Sequence, residues 1–129
     1  MISIIIPIYN EATNLEILSK KIALSLKDYN FEVIFINDGS IDESLNILNN
    51  IIKTYNNFSC VNFKRNYGQT AALQAGFDYA SGKIIVAIDG DLQNDPADIP
   101  KLLQKINEGY DVVSGWRKNR KDSSFSRVI

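Results

Sequence analysis

A chain of 129 residues, 45% hydrophobic and 22% charged, has the size and balance of one soluble globular domain whose core needs no disulfide or metal staple. The chain has no histidine, which excludes Ser-His-Asp and Cys-His catalysis; with a single cysteine besides, it also excludes an ordinary zinc site. A metal held here must be held by oxygen, which selects magnesium, manganese or calcium, and the net charge of −1 hides a basic segment, residues 117–129 at net +4, on a body of net −5.

In chain order, Ser3–Ile8 is a continuous β-branched run and reads as a buried parallel strand. Thr13 and Glu16 have the spacing of a capping box, opening a helix to about Lys27 with Leu15, Leu18, Ile22 and Leu26 on one face. Phe31–Asn37 is a second strand. Ser40 and Glu43 repeat the capping spacing before a helix to about Tyr55 with Leu45, Leu48 and Ile52 inward. Ser59–Lys64 is a third strand, and Cys60 within it reads as a core residue rather than a reactive thiol.

A helix over Gly68–Ala80 stops at Ser81-Gly82, and Lys83–Ile88 is a fourth, fully apolar strand. Asp95-Pro96 opens a further helix that ends near Gly109, and Asp111–Ser114 is a short fifth strand. From Lys118 onward the text is polar without periodicity. Met1–Ile8 is too short and lacks the basic leader of a signal peptide, and nothing approaches the roughly 18 apolar residues of a spanning helix. Strands alternating with amphipathic helices predict an α/β fold, a mostly parallel sheet covered on both faces, with ligands beyond the carboxyl ends of its strands.

Those ends carry Pro7-Ile8-Tyr9-Asn10-Glu11, Asn37-Asp38-Gly39-Ser40, Arg65-Asn66-Tyr67-Gly68, Asp89-Gly90-Asp91-Leu92-Gln93 and Gly115-Trp116-Arg117. Asp89 and Asp91 are the sharpest signal. Two carboxylates one residue apart repel unless a cation lies between them, Gly90 permits close backbone approach, and Gln93 adds a neutral oxygen. Asp38 ends its strand as an acid that grips a ribose or base does, or else it only favours a helix N-terminus. Tyr9 either stacks on a base or packs locally; Glu11 either bonds a ribose or favours the first turn of the next helix. Arg117 either clamps a phosphate or is a surface residue. A phospho-acceptor receiver would want paired acids after the first strand. A dinucleotide oxidoreductase or a sugar nucleotidyltransferase would want a glycine-rich turn there, and Pro7–Asn14 has no glycine.

Taken together, Ile4-Ile5-Ile6-Pro7-Ile8-Tyr9-Asn10-Glu11, Asn37-Asp38-Gly39-Ser40-Ile41-Asp42, Arg65-Asn66-Tyr67-Gly68 and Ile88-Asp89-Gly90-Asp91-Leu92-Gln93-Asn94-Asp95-Pro96 resemble family 2 glycosyltransferases of the GT-A fold. The likeness runs on through residues 108–113 to Arg117 and Arg120, and so covers essentially the whole chain. It is nearest the polyprenyl-phosphate branch, the dolichol-phosphate mannosyltransferases and undecaprenyl-phosphate glycosyltransferases. It implies a Rossmann-like three-layer α/β/α domain over residues 1–117, truncated at its C-terminal side, with residues 118–129 a basic segment leading to an acceptor-side region.

The resemblance assigns Pro7, Tyr9, Asn10, Glu11, Asp38 and Gly90 to the donor, a UDP- or GDP-linked sugar. It gives Asp89, Asp91 and Gln93 to Mg2+ or Mn2+, and Arg117 to a phosphate of donor or lipid. Asp89, Asp91 and Arg117 become the catalytic set. The implied reaction moves the sugar with inversion to a polyprenyl phosphate. The full-length protein is expected at the cytoplasmic face of a membrane, with no nucleic acid as partner. A polysaccharide acceptor and a non-catalytic magnesium-binding module of the receiver kind are the alternatives.

Overall fold

A computed structural model describes residues 1–107 and the backbone of residues 114–116 and 123–128. Its elements are β1 (Ile2–Ile8), α1 (Leu15–Ser25), β2 (Phe31–Asn37), α2 (Ser44–Thr54), β3 (Phe58–Asn62) and α3 (Gln69–Tyr79). There follow β4 (Ile84–Ala87), a 3-10 turn (Pro96–Asp98) running into α4 (Ile99–Asn107), β5 (Ser114–Trp116) and β6 (Ser123–Val128). The sheet order is β3-β2-β1-β4-β6-β5. The first four strands are parallel; β6 runs antiparallel to β4, and β5 antiparallel to β6.

The isoleucine run of β1 explains its central place. A strand covered on both faces must be apolar at every position, not at every second one. Ile4, Ile6 and Ile8 join Val33, Phe35, Val86 and the inward residues of α1, α2 and α4 in one core. Ile5 points the other way, with Ile34 and Ile36, against Ala72 of α3. There α3 lies very close to the sheet: a Cβ on Gly76 would sit 2.3 Å from Ile5 Cγ2. The result is the three-layer α/β/α arrangement that the alternation predicts.

Neither capping box forms. α1 begins at Leu15 without a side-chain cap, and Asn14 Nδ2 instead donates to Glu11 Oε2 at 2.8 Å. α2 begins at Ser44, whose N–H donates to Asp42 Oδ1 at 2.9 Å, while Ser40 Oγ accepts from Asn10 N at 3.0 Å instead of capping. These polar side chains tie loops together in preference to capping. The buried face of α2 is accordingly Ser44, Leu48 and Ile51, while Leu45 stays exposed. By contrast Asp95 does cap, its Oδ1 accepting from Ala97 N at 3.0 Å with Pro96 in the first turn.

β3 ends two residues before the expected Lys64. The fifth strand starts three residues later than the expected Asp111–Ser114, and β6 occupies a stretch whose polarity gave no strand signal. Cys60 is half-buried rather than fully buried, and burial pushes its thiol up to about 11. At the amino ends of the strands, Ser3 Oγ donates to Glu32 Oε2, which also accepts from Ser81 N; Gly82 N donates to Ser3 Oγ. This ties the end of α3 to β1 and β2 on the side away from the chemistry.

Candidate functional site

The chain leaves β1, runs outward to β2 and β3, and returns to place β4 on the other side of β1. A crevice opens where such a path reverses, beyond the carboxyl ends of the two central strands. The four loops there hold one another in place. Asn10, in the left-handed region at φ 54, accepts the N–H groups of Ile41 (2.8 Å) and Asp42 (3.3 Å) on its Oδ1. Glu11 N donates to Ser44 Oγ at 3.1 Å and Ala12 N to Asp42 Oδ2 at 3.2 Å. Slight desolvation works to raise the Asp42 pKa, but hydrogen bonds from Ser44, from Ala12 and from its own backbone prevail and hold it below the usual value.

The second loop meets the third just as closely. Gly39 has φ +71, and a Cβ there would lie 2.3 Å from the backbone of Arg65 and Asn66, so only glycine fits. Asp38 is buried. Its Oδ1 accepts from Tyr67 N at 2.7 Å, and its Oδ2 from Gly68 N at 3.0 Å and Asn66 Nδ2 at 3.1 Å. Beyond it, Arg65 lies over the Tyr67 ring, 4.6 Å from its centroid.

The fourth loop leaves β4 beside β1. Gly90 is buried against Ile8, whose Cδ1 would stand 2.5 Å from an added Cβ. Asp91 Oδ1 accepts from Gln93 N at 3.1 Å, and Leu92 takes φ 62 to turn the chain. From the start of α3, Gln69 Nε2 reaches Asp89 Oδ1 at 3.4 Å.

An open cleft of about 260 Å³ lies between these loops, near the lower end of the roughly 300–1,000 Å³ usual for small-molecule sites. Pro7, Tyr9 and Glu11 of the first loop, Asp38 of the second and Asp89, Gly90 and Asp91 of the fourth line it. Tyr9 is 46% exposed, so its ring is not consumed by local packing. Asn10 and Gln93 are not part of the wall: Asn10 ties two loops, and Gln93 contributes its backbone N–H to Asp91. Arg117 lies outside the described residues. Gln69, which the sequence reading passes over, joins the wall with Asn66 and Gly68. A polar residue opening a helix looks like surface; only the path of α3 back across β2 and β1 brings it to the acidic loop.

Four carboxylates, on Glu11, Asp38, Asp89 and Asp91, face this cleft, and among the described residues no lysine or arginine lines it. Among the described residues no three acidic, histidine or cysteine side chains gather as a metal cage. The donor set is thus oxygen-only and sparse. Carboxylate oxygens suit a hard divalent cation such as Mg2+ or Mn2+.

Residues 3–128 match the family model described as glycosyl transferase family 2. The chain is 40% identical over 129 residues to an undecaprenyl-phosphate 4-deoxy-4-formamido-L-arabinose transferase of Pseudomonas syringae pv. syringae, covering 98% of this chain and 38% of that one. It is 41% identical over 132 residues to a dodecaprenyl-phosphate galacturonate synthase of Rhizobium johnstonii, covering 99% of this chain and 39% of the relative. A mannosyltransferase from Pyrobaculum calidifontis, solved in complex with GDP-Man and Mn2+, superposes with a TM-score of 0.77 at 20% identity, over 98% of this chain and 44% of that one. The chain thus spans less than half the length of each. Among the described residues no helix is long and apolar enough to cross a membrane.

Proposed function

The chain belongs to glycosyl transferase family 2 and has the GT-A fold, and from that premise we propose that it is the donor-binding part of a metal-dependent enzyme that moves a sugar from a nucleoside diphosphate to a polyprenyl phosphate. One observation carries the reading: the Tyr9-Glu11 loop, Asp38 and the Asp89-Gly90-Asp91 loop converge on a single cleft at the reversal point of the sheet. The prenyl-phosphate names of the relatives favour a lipid acceptor over a polysaccharide, and the GDP-Man and Mn2+ in the solved mannosyltransferase support a nucleotide-sugar donor with a cation.

Each group then has a task. The Tyr9 ring offers a face for the base and Glu11 an acceptor for ribose hydroxyls, with Pro7 shaping the wall. Asp38 bounds the nucleoside end while organising the third loop; its Oδ1 takes one hydrogen bond in this structure and has capacity for another. Asn10 fixes the shape of the first loop, and buried Gly90 keeps the cleft open beside the diphosphate. Asp89 and Asp91 would hold Mg2+ or Mn2+, with Gln93 supporting Asp91 through its backbone N–H; the cation would supply neutralisation of the charge that develops on the leaving diphosphate. Arg117 would take a phosphate of donor or lipid.

In the reaction an acceptor phosphate oxygen bonds to the anomeric carbon while the bond from that carbon to the diphosphate breaks, the electron pair leaving with the nucleoside diphosphate. In-line attack inverts the centre. The attacking oxygen of a phosphate monoester is already anionic, so no general base is called for. The full-length protein would work at the cytoplasmic face of the membrane that holds its lipid.

Calorimetry of the chain with UDP and with GDP, each with and without Mn2+, tests the reading. One diphosphate should bind in a Mn2+-dependent manner, and Asp89→Ala should remove that dependence. Mn2+-dependent binding left undiminished in Asp89→Ala would overturn the assignment, and the better diphosphate identifies the base.

A further inference from the structure

Gln69 has no task in the scheme above, yet it meets the acidic loop. It is exposed, opens α3, and donates through Nε2 to Asp89 Oδ1 at 3.4 Å. Its position is imposed through the loop that precedes it. Asp38, at the end of β2, holds the N–H groups of Tyr67 and Gly68, and Gly68 turns at φ +101 directly into α3. The helix then passes over β2 and β1, so that its first side chain arrives beside the loop that follows β4.

The chemistry of the donor matters. A carboxylate turns readily about its terminal torsion, which is broad and roughly two-fold. A hydrogen bond to one oxygen narrows that rotation and fixes which oxygen faces a ligand, as outer groups commonly do around metal-binding side chains. A lysine or arginine here would neutralise Asp89 and compete with a cation. The glutamine amide orients the acid while leaving its charge intact.

Resting on the donor-binding reading above, we propose that Gln69 is a positioning residue that orients Asp89 for a divalent cation, coupling the loop clasped by Asp38 to the metal-binding end of the cleft. Mn2+ titration followed by electron paramagnetic resonance, at saturating UDP or GDP, tests this with Gln69→Ala, Gln69→Met and Gln69→Lys. The bond is long and exposed, so the expected effect is modest. Ala and Met should each raise the half-saturating Mn2+ concentration about three- to tenfold, and Lys should raise it further. Melting temperature without metal should stay at the wild-type value in Ala and Met, since a merely structural residue would move melting and leave Mn2+ affinity alone. Wild-type Mn2+ affinity in both Ala and Met would overturn this inference and leave the donor-binding reading standing. A wild-type chain that takes no Mn2+ with either diphosphate would overturn both.

Discussion

Asp38 illustrates how a strand-end acid divides its work. Without its carboxylate the N–H groups of Tyr67 and Gly68 lose their acceptor, at about 1–3 kcal/mol for each donor left unsatisfied and less where water can reach it. Asp38→Ala should therefore lose about 2 kcal/mol of stability with no nucleotide present, read by urea unfolding, while Asp38→Asn keeps one acceptor and should lose less. Unchanged nucleotide-free stability in Asp38→Ala would restrict the residue to ligand contact. From sequence alone its place at the end of β2 was legible, but its partners were not, because they depend on β3 lying next to β2. Cys60 makes the complementary case. Its folded pKa of about 11 stands above the ordinary 9.0, so the unfolded chain releases the proton first. The contribution is intact below pH 9, falls as pH climbs from 9 to about 11, and is level beyond. The difference in stability between wild type and Cys60→Ala should shrink across that window by an amount on the order of 2 kcal/mol; a pH-independent difference would contradict the burial argument.

Between elements, the contact that sets the cleft wall is Gly90 on Ile8, the fourth loop against the end of β1. Gly90→Ala forces the Ile8 side chain to move and should cost about 1–3 kcal/mol. Ile8→Val removes the clashing methyl and alone should cost about 1 kcal/mol. Because the same atoms are involved, the double variant should be more stable than the two losses added together predict, with a coupling above about 0.5 kcal/mol, measured by a double-mutant cycle in urea. Strict additivity would show that the loop relaxes elsewhere. The first four strands and the inward face of α1 were readable from apolar patterning, and the Asp95-Pro96 helix start from its cap. The starts of α1 and α2 were not. Ser40 and Asn14 satisfy loop groups rather than helix N–H groups, and Asp42 divides its carboxylate between Ala12 N of the first loop and Ser44 N at the start of α2; that competition is invisible until the loops are adjacent. β6 escaped for a related reason: four of its six residues are polar, and its pairing comes from β4 rather than from any pattern of its own.

Across the whole molecule, β1 is flanked by β2 and β4 and covered on both faces, with Ile4, Ile5 and Ile6 fully buried. Their amides should exchange with solvent only through global unfolding, while those of the edge strand β3 exchange faster through local opening. Hydrogen exchange read residue by residue checks this, and equal protection in β1 and β3 would argue against the strand order. Alternating strands and helices made the parallel layering legible, and with it the side of the sheet that carries ligands. The order of the strands was not, and it is the order that makes β1 and β4 neighbours and gathers seven of the anticipated site residues. Among the described residues, the four with positive φ, Asn10, Gly39, Gly68 and Leu92, all lie on that one rim. Of these, Asn10 and Leu92 each bear roughly 1–3 kcal/mol of backbone strain that a relaxed loop would avoid. The fold therefore keeps its conformational debt beside its chemistry and leaves the opposite end at ease. A ligand arriving at the rim meets loops already bent to shape, and little of its affinity is lost to ordering them.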